Sequence, residues 1–174
     1  MDKHERQFDR ELADLKKRLL TMAAIAEKMI DLEITALVKR EERASDTVPG
    51  QEQELNRFQI EIDEEVLRLL ATRQPVAADL RFILVASRIN TELERIGDLA
   101  VNISDNVHIL AQQEPLKPLI DIPRMADLTR QMVRLSLDAF VQADPLLAQT
   151  VIMTDDQVDA LKDQILRELL TYMM

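Results

Sequence analysis

The sequence predicts an all-α protein: one antiparallel three-helix bundle followed by a second, incomplete copy of it. Three observations carry this. Apolar residues recur at alternating spacings of four and three, as in Ile89, Leu93, Ile96, Ala100, Ile103, Val107 and Leu110, the seam of a helix packed lengthwise in a bundle. The composition favours long helices: two Gly, six Pro, one Tyr, four Phe and no Trp leave few turns and few strand formers, and eight Met with many Leu, Ile and Ala supply the packing. The chain also repeats itself without gaps at an offset of 103 residues, Met125-Ala126 on Met22-Ala23, Met132 on Met29, Leu135 on Leu32, Ala139 on Ala36 and Ile165 on Ile62.

The elements follow in order. Helix one runs from about Glu5 to Arg43 on Leu12, Leu15, Leu19, Met22, Ile25, Met29, Leu32 and Ala36. Turn formers at Ser45-Asp46-Thr47-Val48-Pro49-Gly50 end it. Helix two extends from about Gln51 to Thr72 with Leu55, Phe58, Ile62, Val66 and Leu69 inward. Pro75 suits the first turn of helix three, which continues to Gln113. Glu114-Pro115-Leu116-Lys117-Pro118 is the linker. Residues 1–114 form the first repeat. Residues 115–174 form the second, with helices four and five only, because the counterpart of Glu94 falls beyond Met174. The second bundle is therefore expected to be truncated or completed by another copy, and a homodimer or helix exchange is expected.

With 174 residues and a formal charge of −10, the chain can bury a core but has no basic stripe for nucleic acid. It has no cysteine, which excludes a disulfide framework, a thiolate metal site and a thiol nucleophile. The opening MDKHERQFDREL is too polar for a signal peptide. No apolar run spans a bilayer, so a cytoplasmic location without membrane insertion is expected. No glycine-rich phosphate loop or nucleophile–base set is visible, and no enzymatic activity is expected.

One constellation could carry chemistry. At about 100° per residue, Ser87, Thr91, Glu94, Asp98, Asn102 and Asp105 gather on the side of helix three away from its seam. Folding helices two and three about Pro75 puts Glu52 level with Asp98 and Asn56 level with Glu94, with Asp63 on the same side of helix two. Carboxylates so gathered repel one another unless a cation or proton lies between them. An all-oxygen set without histidine suits hard ions such as Mg²⁺, Mn²⁺, Ca²⁺ or oxidised iron more than Zn²⁺. The same spacing also fits a solvated acidic face with Glu94 and Asp98 screened by Arg88 and Arg95. Gly97, in mid-helix at a cost of about 1 kcal/mol relative to Ala, implies that something approaches the backbone there. The repeat carries Glu52 onto Asp155 and Asn56 onto Asp159, a second pair of oxygen ligands near the start of helix five.

Other candidates are weaker. Asp105 and His108 could form half of a di-iron site, but such a site needs a second carboxylate–His pair, and the other histidine is His4. Asp79 suits the positive end of helix three.

Phe8-Asp9-Arg10-Glu11-Leu12, Pro75-Val76-Ala77-Ala78-Asp79-Leu80-Arg81 and Glu94-Arg95-Ile96-Gly97-Asp98 with Asn102-Ile103 resemble the PhoU family of phosphate-uptake regulators. The resemblance covers essentially the whole chain. It implies a spectrin-repeat-like fold of two three-helix bundles whose second and third helices bear E/D-x-x-x-D motifs, able to hold clusters of iron or other divalent ions. By position, the first cluster uses Glu52, Glu94 and Asp98, with the neutral Asn56 where the family often has an acid. The second uses Asp155 and Asp159. The resemblance further implies an adaptor between the ATPase subunit of a phosphate ABC transporter and a sensor histidine kinase, restraining uptake and the starvation response when phosphate is plentiful. The alternatives are a metal-sequestering or di-iron carboxylate protein and a purely structural helical module.

Overall fold

The computed structural model describes residues 3–41 and 46–174, with the side chains of residues 3–5 outside that description. Five helices follow one another: α1 (Lys3–Lys39), α2 (Val48–Arg73), α3 (Ala77–Ala111), α4 (Asp121–Gln142) and α5 (Pro145–Met173). Among the described residues there is no strand. The all-α class is as expected. The expected end of helix one at Arg43, the start of the turn at Ser45 and the His4 side chain lie outside the described residues.

Two helices begin earlier than their sequence suggests. α2 starts at Val48 and takes Pro49 and Gly50 into its first turn. A proline there loses only an N–H that would have had no helical partner, and Val48 is buried. α5 starts at Pro145, because Asp144 caps it: its carboxylate accepts from the N–H groups of Leu146 at 2.9 Å and Leu147 at 3.1 Å. Asp155 and Asp159 therefore lie well inside α5 rather than near its start. The preceding residue, Ala143, is left-handed (φ 53°) and closes α4, with the Asp144 N–H bonding Ala139 O at 2.9 Å. Arg40 (φ 58°) ends α1 in the same way, the Glu41 N–H bonding Ala36 O at 3.1 Å. Gln74 and Ala77, both at φ 47°, flank Pro75 and Val76 in the α2–α3 turn.

The chain divides into two compact units, Met1–Met29 with Val48–Val101 and Ile30–Thr47 with Asn102–Met174. The units do not follow the repeat boundary, because α1 and α3 contribute to both. The first has a dense core of Leu15, Leu19, Met22, Ala26, Leu55, Ile62, Leu69, Ile83 and Ala86, each no more than 1 % exposed. The second is built on Ala36, Val107, Ala126, Leu137, Ala139, Leu161 and Ile165. Its α5 leaves Ile152, Leu166 and Leu170 in solvent.

Long charged side chains tie the helix ends. In the first unit Glu11 of α1 meets Arg73 of α2 through bonds of 2.6 and 2.8 Å, and Arg68 at 3.4 Å. In the second unit the Arg40 guanidinium donates to the backbone carbonyls of Leu110 and Ala111, at 2.7 and 3.2 Å, and of Gln113, the negative end of α3.

The bond from Arg73, aided by the charge of Arg68, holds the Glu11 carboxyl below the usual carboxylate range despite its partial burial. Glu11 therefore contributes stability above that range, and the contribution is lost as pH falls through its lowered pKa. Glu11→Gln should melt below the parent at pH 7, and the two melting curves should converge below a pH of about 4; an equal difference at both pH values would contradict this assignment.

Candidate functional site

The α2–α3 hairpin is where the sequence places its chemistry, and two contacts set its geometry. The Asn90 side chain is wholly buried. Its Nδ2 donates to the Gln59 carbonyl at 3.0 Å and to Asp63 Oδ1 at 2.9 Å, both on α2. Two turns further along α3, Gly97 lies against Leu55: a Cβ at position 97 would be 2.8 Å from Leu55 Cδ2 and 3.4 Å from Cδ1. Pairing 90 with 59 and 63, and 97 with 55, gives the antiparallel register read from the fold at Pro75. Asn56 is level with Glu94, and Glu52 with Asp98.

The rotation of α3 differs from expectation. Its buried stripe is Ile83, Ala86, Asn90, Leu93, Gly97, Ala100, Ser104 and Val107. Ile89, Ile96 and Ile103 are only partly covered and Leu110 is exposed. The inward positions at seven-residue spacing are thus Asn90, Gly97 and Ser104, not the neighbouring isoleucines. The close approach inferred at Gly97 is made by Leu55, a packing contact.

This rotation leaves Glu94 half-buried at the edge of the α2 interface, while Asp98, one turn on, is exposed. Burial, with a smaller contribution from the Asp98 charge, pushes the Glu94 carboxyl above its usual range. On α2, Glu52 and Asn56 are half-buried. The Asn56 Oδ1 and Gln51 Oε1 atoms are shut off from solvent with no hydrogen-bond partner among the described residues. A polar atom so placed has lost water without replacing it. Among the described residues no three His, Asp or Glu side chains converge as ligands of one ion. The hairpin edge thus carries the neighbouring Glu94 and Asp98 carboxylates of α3 and, on α2, the half-buried Glu52 and Asn56.

The remaining candidates are dispersed. Asp155 and Asp159 are exposed on α5. Asp159 accepts a 2.8 Å bond from Lys162, whose ammonium it holds charged to higher pH with help from Asp163 and Asp155. His108 directs Nδ1 to the Ser104 carbonyl at 2.8 Å, the backbone of its own helix. Asp63 is engaged by Asn90. Asn90 is the residue that reading the sequence for carboxylates passes over, although polar or small residues at 90, 97 and 104 carry a visible seven-residue signal.

Five long helices, with an antiparallel α2–α3 hairpin that is acidic along one edge, define a helical-bundle protein. The PhoU domain family model matches residues 19–107 and 122–174, the second segment beginning 103 residues after the first. The chain belongs to the PhoU family. It is 36% identical over 165 residues to the phosphate-specific transport system accessory protein PhoU homolog of Aquifex aeolicus, covering 95% of this chain and 75% of that protein. It is 37% identical to the homolog of Pseudomonas putida, covering 97% of this chain and 66% of that protein. To the phosphate-specific transport system accessory protein PhoU of Escherichia coli it is 33% identical, with 97% of this chain and 70% of that protein covered. The crystal structure of PhoU from Pseudomonas aeruginosa superposes with a TM-score of 0.90 at 35% identity, over 96% of this chain and 80% of that one.

Two substitutions test the site's geometry. Gly97→Ala gains about 1 kcal/mol of helix propensity but drives a methyl into the fully buried Leu55. Overpacking of this kind costs about 1–3 kcal/mol, so a net loss of about 1 kcal/mol is expected. In the Leu55→Ala background the penalty should vanish, a non-additivity readable by urea denaturation. Glu94→Gln acts through charge: a raised carboxyl pKa penalises the folded state once pH rises through it. The variant should melt above the parent at pH 7 and with it below a pH of about 4.

Proposed function

We propose that this chain is a cytoplasmic accessory regulator of phosphate uptake. In this role it is an adaptor that restrains a phosphate ABC transporter through its ATPase subunit and keeps a sensor histidine kinase, and with it the starvation response, switched off when phosphate is plentiful. The observation that carries the reading is family membership over both repeats, with relatives that are named accessory proteins of the phosphate-specific transport system. The acidic surface and the scarcity of enclosed polar chemistry agree with a part played through partners. Expression of the chain in a bacterium lacking its own PhoU should lower phosphate uptake and the starvation response in phosphate-rich medium. An accumulated, folded protein without either effect would count against the role.

The α2–α3 edge is proposed to be metal-capable. Glu94 and Asp98, with the Asn56 amide oxygen and Glu52 at the same levels, are the residues that would hold a hard cation such as Mn²⁺, Mg²⁺ or iron. Asp155 and Asp159 would offer a second, sparser pair. The fit rests on the unpartnered Asn56 oxygen and on Glu94, whose charge is disfavoured by burial and by Asp98. A bound cation would neutralise the paired carboxylates and join α3 to α2. Mn²⁺ or iron should bind the parent and be lost in Glu94→Ala/Asp98→Ala. Absence from both after reconstitution would reduce the edge to a solvated acidic face.

The exposed Ile152, Leu166 and Leu170 of α5 support self-association into a homodimer, for which sedimentation at micromolar concentration is the measure.

A further inference from the structure

We infer that Asn90, backed by the close approach at Gly97, is a positioning residue: it holds α3 in the rotation that brings Glu94 to the α2 edge. α3 carries two possible seams. Both share Leu93, Ala100 and Val107. One completes the stripe with Ile89, Ile96 and Ile103, the other with Asn90, Gly97 and Ser104. Hydrophobic burial alone favours the isoleucines, yet the structure buries the second set. At about 100° per residue, the centre lines of the two stripes differ by about 50°. Turned to the isoleucine seam, α3 would carry Glu94 and Asp98 by the same angle away from α2.

What opposes that turn is on α2. The Asn90 amide bonds the Gln59 carbonyl and Asp63 at once, and rotation would break both bonds while leaving Asp63 without its buried partner. Leu55 fills the notch that only a glycine leaves at position 97. Asn90 and Gly97 lie one turn before and after Glu94, on the flank that Glu94 borders, and so set its position directly. Ile89 and Ile96 remain partly exposed as the consequence.

The inference rests on reading the edge as metal-capable, but its structural half can be measured by itself. The chain has no cysteine, so single cysteines report rotation cleanly. Ser87 and Ile96, both half-buried, flank the observed seam on opposite sides. In Asn90→Asp, which places a carboxylate against Asp63, thiol modification at Ser87→Cys should speed up and at Ile96→Cys slow down. General loosening would raise both rates. Asn90→Ala, which adds no charge, should shift them the same way by less. Asn90→Asp/Asp63→Asn, which exchanges donor and acceptor, should return both towards the parent. Mn²⁺ titration in parallel should show binding weakened by about tenfold or more in Asn90→Asp and recovered in the exchange variant. Rates that do not move, or that both rise in variants of unchanged helicity, overturn the inference, as do opposed rates with unchanged Mn²⁺ affinity. If the parent takes up no Mn²⁺, the metal reading fails and the cysteine rates alone decide whether Asn90 sets the rotation.

Discussion

An amide N–H group stripped of water must find acceptors inside the protein, and the Asn90 Nδ2 finds two on the neighbouring helix, while its Oδ1 is buried without a partner among the described residues. That requirement is directional, whereas the apolar contacts around it are not. A leucine would be content in several rotations of α3; an amide that must reach one carbonyl and one carboxylate is content in one. The register of the hairpin, the fit of Leu55 into Gly97, and the half-burial of Glu94 all follow from that single orientation. The hairpin uses a polar group to select one arrangement among several that would bury similar area, as buried polar residues do in coiled coils.

The helices were legible because helical periodicity is local. A seam needs only apolar residues at the right spacing, and Leu55, Ile62, Val66 and Leu69 read correctly as the inward face of α2. Two starts were misplaced because punctuation has two meanings. Pro49-Gly50 read as turn formers, yet proline suits a first helical turn; the Asp144-Pro145 pair, a cap followed by a helix start, corresponds through the repeat to Glu41 and Glu42, inside the span expected of the first helix. The α3 seam was offset because ranking residues by apolarity puts Ile96 ahead of Gly97. Backbone approach and a buried hydrogen bond decided otherwise, and neither is a property of one helix alone.

The candidate edge divides in the same way. Which residues stand level across the hairpin follows from counting outward from Pro75, and the contacts at 59, 63, 90 and 97 agree with the count. How near the side chains come does not follow from counting, and the acids of the described residues do not close into a three-carboxylate group. The signal for Asn90 was present, since a polar or small residue every seven positions is unusual in an otherwise apolar stripe. Its meaning lies in a contact between two helices, which the spacing along one helix does not contain.

The junction between α4 and α5 has its own consequence. Three successive residues do all the work there: Ala143 takes the left-handed turn, Asp144 caps, and Pro145 opens the next helix. Only two residues lie outside either helix, so little loop entropy opposes closure. The pairing of α4 with α5 is local in the chain, while the Glu11–Arg73 tie joins residues 62 positions apart. Contacts close in sequence form sooner than distant ones. The α4–α5 hairpin is accordingly, like the α2–α3 hairpin, a segment able to form ahead of long-range ties such as Glu11–Arg73.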